Sequence, residues 1–166
     1  MSAPREDTQR RLAAIKRRLS DAPEQFADTL AGAVRKSPDG RLERLMTSPA
    51  RRMVLEAIFW QMPRHVDRER AKGLTSSIRW EITGRSDGQS DIYQLEFVDG
   101  ACHVVRGPDG SRPRLTITVD GAEFLRLATG NSDPMQAYFR GRISLAGDVM
   151  MAAKVSSLFR TPAAKR

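Results

Sequence analysis

The sequence predicts an α+β domain: a five-stranded, mostly antiparallel sheet with helices on one face, preceded by a helical segment. Two features carry that reading. Apolar residues recur at helical spacing as far as Pro63, and from Ser76 the period changes from 3.6 to 2. The size and composition agree. The chain has 166 residues, 40% hydrophobic and 29% charged, the mixture of one ordinary globular domain. That is long enough to bury a core without disulfides or metals.

The helices come first. TQRRLAAIKRRL (8–19) sets Leu12, Ile15 and Leu19 at helical spacing with Arg and Lys between them, a short basic amphipathic helix. Asp21, Pro23 and Glu24 mark the start of a second, PEQFADTLAGAVRK. SPDG (37–40) breaks the chain. Ser48 then caps a third helix with Pro49 at its first position, where a missing N–H is harmless. This helix runs through ARRMVLEAIFWQM to Pro63, with Leu55, Ile58, Phe59 and Met62 on one face. HVDRERAKG (65–73) reads as a polar connector.

The strands follow. Ile78, Trp80 and Ile82 alternate with polar residues, SDGQSD turns, and Tyr93, Leu95 and Phe97 alternate in their turn. Asp99-Gly100 is a two-residue hairpin signal, because both positions need positive φ. ACHVVR returns, GPDGSRP turns, and Leu115, Ile117 and Val119 form the fourth strand. Such alternation buries one sheet face and wets the other. Asp120 caps GAEFLRLATG, with Glu123 in capping-box spacing. Asp133-Pro134 starts PMQAYFR, GRISLAGD (141–148) supplies the fifth strand, and Asp148 caps the last helix before a short tail.

Several function classes fall away. MSAPREDTQRR is no secretory signal, and apolar runs such as AIFW (57–60) are far too short to span a bilayer. The expectation is a soluble, cytoplasmic protein, and the single Cys102 agrees with a reducing compartment. Net charge is +8, with 16 Lys+Arg against 10 Asp+Glu in residues 1–73 and 12 against 10 in residues 74–166. The basic first half could meet an anionic membrane surface or a partner enzyme. Nucleic acid is not expected as a partner, because the aromatics fall on apolar faces rather than among exposed basic residues.

No cofactor, metal or catalytic set is expected. Two histidines, His65 and His103, do not make a zinc cluster. Cys102 and His103 are neighbours on a strand, so they point to opposite faces and form no dyad. There is no phosphate loop, dinucleotide fingerprint or nucleophile elbow. Asp120, Glu123, Asp133 and Asp148 read as helix caps. What remains is a dense apolar inventory from Phe124 to Phe159, spread over a sheet face and three short helices. Such a face can close as a filled core or enclose a cavity, and methionines adapt to irregular greasy shapes.

LTITVDGAEFLRLATGNSDPMQAYFRGRISLAGDVMMAAKVSSLF (115–159) resembles the sterol carrier protein type two domain family. YQLEFVDGACHVVRG fits the family's central hairpin, and LEAIFWQMP looks like the helix before the sheet in bacterial members. The resemblance implies an apolar tunnel between sheet and helices, and non-catalytic binding or transfer of a fatty acid, fatty acyl-CoA, sterol-like or isoprenoid lipid. It divides the chain into a helical N-terminal extension (1–45), a lipid-binding domain (46–161) and a tail (162–166). Lining candidates, by face, are Leu55, Phe59 and Met62; Leu95 and Phe97; Ile117; Phe124 and Leu127; Met135 and Phe139; Ile143 and Leu145; Met151 and Val155. Arg140 and Arg142 could meet an anionic head group. Two alternatives stand beside this reading. One is an accessory protein docking on a lipid-modifying or biosynthetic enzyme or a membrane. The other is an enzyme that folds a hydrophobic intermediate in the tunnel, which would need a carboxyl group buried there.

Overall fold

The computed structural model describes residue 10 and residues 23–159, with the side chains of 23–27 outside it. Apart from Arg10, the basic helix expected over 8–19 lies outside the described residues, as does the tail at 162–166. Three helices come first: α1 (Pro23–Lys36), α2 (Asp39–Thr47) and α3 (Ala50–Gln61). A 3₁₀ turn (Met62–His65) and the short α4 (Arg68–Ala71) lead to the strands β1 (Ser76–Thr83), β2 (Asp91–Val98), β3 (Ala101–Arg106) and β4 (Leu115–Asp120). Then come α5 (Gly121–Ala128), α6 (Pro134–Phe139), β5 (Ile143–Gly147) and α7 (Val149–Leu158).

The sheet order is β3-β2-β1-β4-β5. Only the central β1–β4 pair is parallel; the others are antiparallel. Register puts Trp80 opposite Tyr93 on one side and Ile117 on the other, with Ile78 between Leu95 and Leu115. Val119 faces Ile143 at the far edge. These residues share the covered face, so the period-2 pattern of four strands becomes one apolar floor. Cys102 lies on the covered side and its neighbour His103 is exposed. Burial pushes the Cys102 thiol up to about 11, the environment of an inert cysteine.

The turn chemistry is as expected. Asp99 (φ 48°) and Gly100 (φ 84°) both take positive φ at the β2–β3 hairpin. The Gly100 N–H donates to the Leu74 carbonyl at 2.8 Å, and a Cβ there would stand 2.9 Å from the Ala71 carbonyl oxygen. The hairpin tip is therefore seated on the α4 region. That region is not the polar connector its composition suggests: Ala71 and Val66 are buried, and Asp67 caps α4.

Helix α2 was not legible in the sequence. The chain breaks at SPDG for only two residues and re-enters a helix at once, with Leu42 and Met46 buried in the common core. Position 45 thus lies inside a helix that packs on α3 and α5. Gly121 makes that packing close, because a Cβ there would come within 2.9 Å of the Met46 side chain.

The third helix is anchored by Arg51. Its guanidinium is buried and donates to Asp91 Oδ2 (2.8 Å), the Met46 carbonyl (3.0 Å) and the Ile82 carbonyl (2.6 Å). One side chain thereby joins α2, α3, β1 and β2. Asp91 also accepts from Arg85 at 3.2 Å. Above it, Phe59 stacks between Tyr93 (centroids 4.0 Å apart) and Phe124 (5.1 Å), and Trp80 meets Phe124 edge-on at 5.5 Å.

Asp120, Asp133 and Asp148 cap α5, α6 and α7, accepting from Glu123, Gln136 and Met151 N–H groups respectively. Glu123 departs from the capping role. Its side chain turns inward and accepts from Ser132 Oγ (2.6 Å), Arg126 (3.1 Å) and Arg142 (3.3 Å). Burial pushes this carboxyl up, but the hydroxyl and the two guanidinium groups together outweigh it and hold it below the ordinary glutamate range.

Two outcomes follow from these buried charges. Arg51→Ala should lower unfolding free energy by about 3 kcal/mol in urea titration, the low end for breaking a buried pair, because Arg85 still holds Asp91. Arg51→Met with Asp91→Leu should recover most of that loss. Glu123 has a depressed folded pKa, so its contribution is complete above the ordinary glutamate pKa and disappears as pH falls through the folded value. Melting temperature should therefore drop more steeply below about pH 4.5 in the parent than in Glu123→Gln.

Candidate ligand-binding cavity

Between the sheet floor and the helices lies a cavity of about 170 Å³. Its floor is Trp80 of β1, Ile117 of β4 and Ile143 of β5. One wall is the end of α3 and the following turn, with Ile58, Gln61, Met62 and His65. The opposite wall is α5 and its exit, with Phe124, Leu127, Ala128, Thr129 and Pro134. Ala152, Val155, Ser156 and Phe159 of the last helix and its end close it, and Leu30 of α1 reaches the rim.

Local chemistry explains each position. The stacked Phe59 and Phe124 fix the distance between α3 and α5, and Trp80 of the sheet stands edge-on to both. Gly130 (φ 73°) ends α5 sharply, and Asn131 Nδ2 donates to the Ala31 carbonyl at 3.1 Å, which holds α1 against this corner. Helix α7 is clasped at both ends. At its start Arg114 Nε donates to Asp148 at 2.8 Å. At its end Phe159 pairs with Val66 in an isolated bridge, Asp67 N donates to the Leu158 carbonyl (2.7 Å), and Arg70 donates to the Ser157 carbonyl (2.9 Å).

Of the expected lining residues, the structure brings Met62, Ile117, Phe124, Leu127, Ile143 and Val155 together around this space. Leu55, Phe59, Leu95, Phe97 and Met151 are buried behind it as packed core. Leu145 is half-buried against the core beside it. Met135 (53% exposed) and Phe139 (78% exposed) lie on the outer side of α6, because Ala137 is the residue that this short helix buries. Arg142 spends a guanidinium N–H on Glu123, and Arg140 is exposed. Neither lines the cavity.

The sequence reading missed Leu30, Ile58, Trp80, Ala128, Pro134, Ala152 and Phe159, and with them the polar Gln61, His65, Thr129 and Ser156. Ile58 and Trp80 carried a signal, as large residues on predicted inward faces. Thr129 donates to the Leu125 carbonyl (2.6 Å) and Ser156 to the Ala153 carbonyl (2.9 Å), so both hydroxyls are satisfied by their own helices. Among the described residues, no Asp or Glu lines the cavity. Nor do any three His, Cys, Asp or Glu among them stand together as a metal site. No described helix is long and apolar enough to cross a membrane.

A space of this size matches cavities that hold a benzene-sized molecule and falls below the roughly 300 Å³ where drug-sized pockets begin. A long chain would fit only by moving wall side chains or by extending past the rim. Met62, unbranched and adaptable, is the wall residue best suited to yield.

Comparison with known proteins agrees with this architecture. The chain is 27% identical over 106 residues to the Caenorhabditis elegans non-specific lipid-transfer protein-like 1, covering 62% of this chain and 87% of that one. It is 25% identical over 95 residues to the Mus musculus peroxisomal multifunctional enzyme type 2, covering 57% of this chain but 13% of the enzyme. The crystal structure of sterol carrier protein 2 like 2 from Aedes aegypti superposes with a TM-score of 0.54 at 22% identity, over 65% of this chain and 98% of that one. The model of the SCP-2 sterol transfer family matches residues 55–160, from the middle of α3 past the end of α7. With that match spanning the whole sheet and most of the cavity wall, the chain belongs to the SCP-2 sterol transfer family.

Proposed function

We propose that the protein is a non-catalytic, cytoplasmic carrier that binds or transfers a hydrophobic molecule in the cavity between α3, α5, α7 and the sheet. The observation that carries this is the cavity itself, walled almost entirely by apolar side chains in a chain of the SCP-2 sterol transfer family. Family membership points to lipid or sterol binding or transfer, and the nematode relative is named a non-specific lipid-transfer protein. The non-catalytic reading is supported by a lining without a carboxylate among the described residues. In this reading residues 46–161 form most of the ligand site, and residues 1–45 are an extension whose described helices pack on the same core and bring Leu30 to the rim.

The energetics suit a weak, broad binder. Each buried CH₂ gains about 0.8 kcal/mol, so a 12-carbon chain gains roughly 10 kcal/mol before costs. Ordering and association remove much of that and leave affinity near the micromolar range.

The direct test is native mass spectrometry of freshly purified protein, followed by solvent extraction. A co-purifying lipid, or saturable uptake of a fluorescent polyene fatty acid by stripped protein, is the expected result. A bare polypeptide mass together with no uptake would overturn the reading. Filling the cavity gives a second check. Ala152→Phe places a ring where α7 meets the cavity, and should weaken polyene uptake at least tenfold, about 1.4 kcal/mol, while the melting transition stays cooperative.

A further inference from the structure

A surface helix ordinarily turns its large apolar side chains toward the core. Helix α6 does the reverse. It buries Ala137 and leaves Met135, Tyr138 and Phe139 in the open; even Tyr138, the least exposed, is at 41%. Spacings of three and four residues put these side chains on one side of the helix, and the rings of Tyr138 and Phe139 meet edge-on with centroids 5.8 Å apart. Arg140 follows in the open, and the Arg142 side chain is half exposed while it holds Glu123. Residues 134–147 contain these two arginines and no acidic residue. The acids on either side, Asp133 and Asp148, are spent capping helices. Pro134 is exposed and also lines the cavity, so the cavity wall reaches the surface on this same helix.

We propose that the outer face of α6 docks on an anionic lipid bilayer, with Met135, Tyr138 and Phe139 entering the interface and Arg140 and Arg142 meeting the head groups. The docking stands on its own observations; its use, handing cargo between cavity and bilayer, rests on the carrier reading. Size selects a bilayer over a protein. Three side chains on a six-residue helix fall far short of the roughly 20–30 residues a side that a stable protein interface employs. A bilayer takes in apolar side chains without a matching shape, and aromatic residues sit well at the head-group level. Charge points the same way. The net charge is +8, and a symmetric pair of copies joined here would bring the same two arginines together. Anionic head groups attract them instead.

An environment-sensitive fluorophore on the full chain reads the contact at one position. In a Cys102→Ser background, one sample carries the label at Met135→Cys and another at Val98→Cys. Val98 is 57% exposed and pairs with β3, at the opposite edge of the sheet from β5, on which α6 packs. Phosphatidylcholine vesicles with about 30% phosphatidylglycerol should brighten the label at position 135 at least twofold and shift its emission to the blue, and should leave the label at position 98 unchanged. Pure phosphatidylcholine, or salt raised from about 0.1 M to about 0.5 M, should weaken the response. Adding Phe139→Ser to the first sample should weaken the vesicle titration at least fivefold, while uptake of the polyene fatty acid from solution keeps its parent value. No response at position 135, an equal response at position 98, equal binding to pure phosphatidylcholine, or an unchanged titration with Phe139→Ser would each overturn the docking. So would brightening without vesicles that rises with protein concentration, together with a dimer mass by light scattering, which would assign the face to a second copy. Polyene uptake persisting in any of these cases leaves the carrier reading standing. Docking without any polyene uptake would overturn the carrier reading alone.

Discussion

The buried guanidinium of Arg51 is the constraint on which the rest is built. It takes a carboxylate from β2 and carbonyls from α2 and β1, so α3 can sit at only one height and one rotation over the sheet. A purely apolar contact would let the helix slide by a turn, since greasy surfaces are non-directional. With the start of α3 fixed, Phe59 lands between Tyr93 and Phe124, and the far end of α3 is carried to the cavity edge. Buried ion pairs add little net stability; the effect of this one is to choose an arrangement.

The cavity exists because its two sides are held apart by rings rather than by flexible chains. Phe59, Phe124, Tyr93 and Trp80 form a continuous aromatic block. Flat rings in stacked and edge-on contact cannot flow into adjoining space as Leu or Met could. On the last helix Ala152 and Ser156 present short side chains toward the same region. A rigid block facing short residues leaves volume unfilled.

Much of the fold was legible from local chemistry. The change of period at Ser76, the Asp99-Gly100 turn and the three aspartate caps each depend on a few neighbouring residues, and each stands in the structure as read. Helix α2 was hidden because Pro38 and Gly40 sit where a helix would begin, and what holds it is distant in sequence: Leu42 and Met46 in the core, with Met46 close over Gly121. The site was less legible. On α3 the residues Leu55 and Phe59 and the residues Ile58 and Met62 form adjacent apolar stripes, and nothing local says which stripe faces core and which faces empty space. Leu95 and Phe97 share the right sheet face, but on β2, toward the other edge of the sheet from β4 and β5. Reading the lining as wholly apolar also passed over Gln61, the polar residue at the end of α3 that stands in the cavity wall.

The double clasp on α7 bears on timing. An apolar contact loosens gradually, whereas a clasp made of a short backbone bridge and a few charge-assisted bonds either holds or lets go. Its C-terminal half depends on Val66, Asp67 and Arg70, which belong to the segment leading into the sheet rather than to the cavity wall. In the carrier reading, the residence time of a molecule inside would be governed by how often that remote fastening opens, and it could be tuned without altering any atom that touches the molecule.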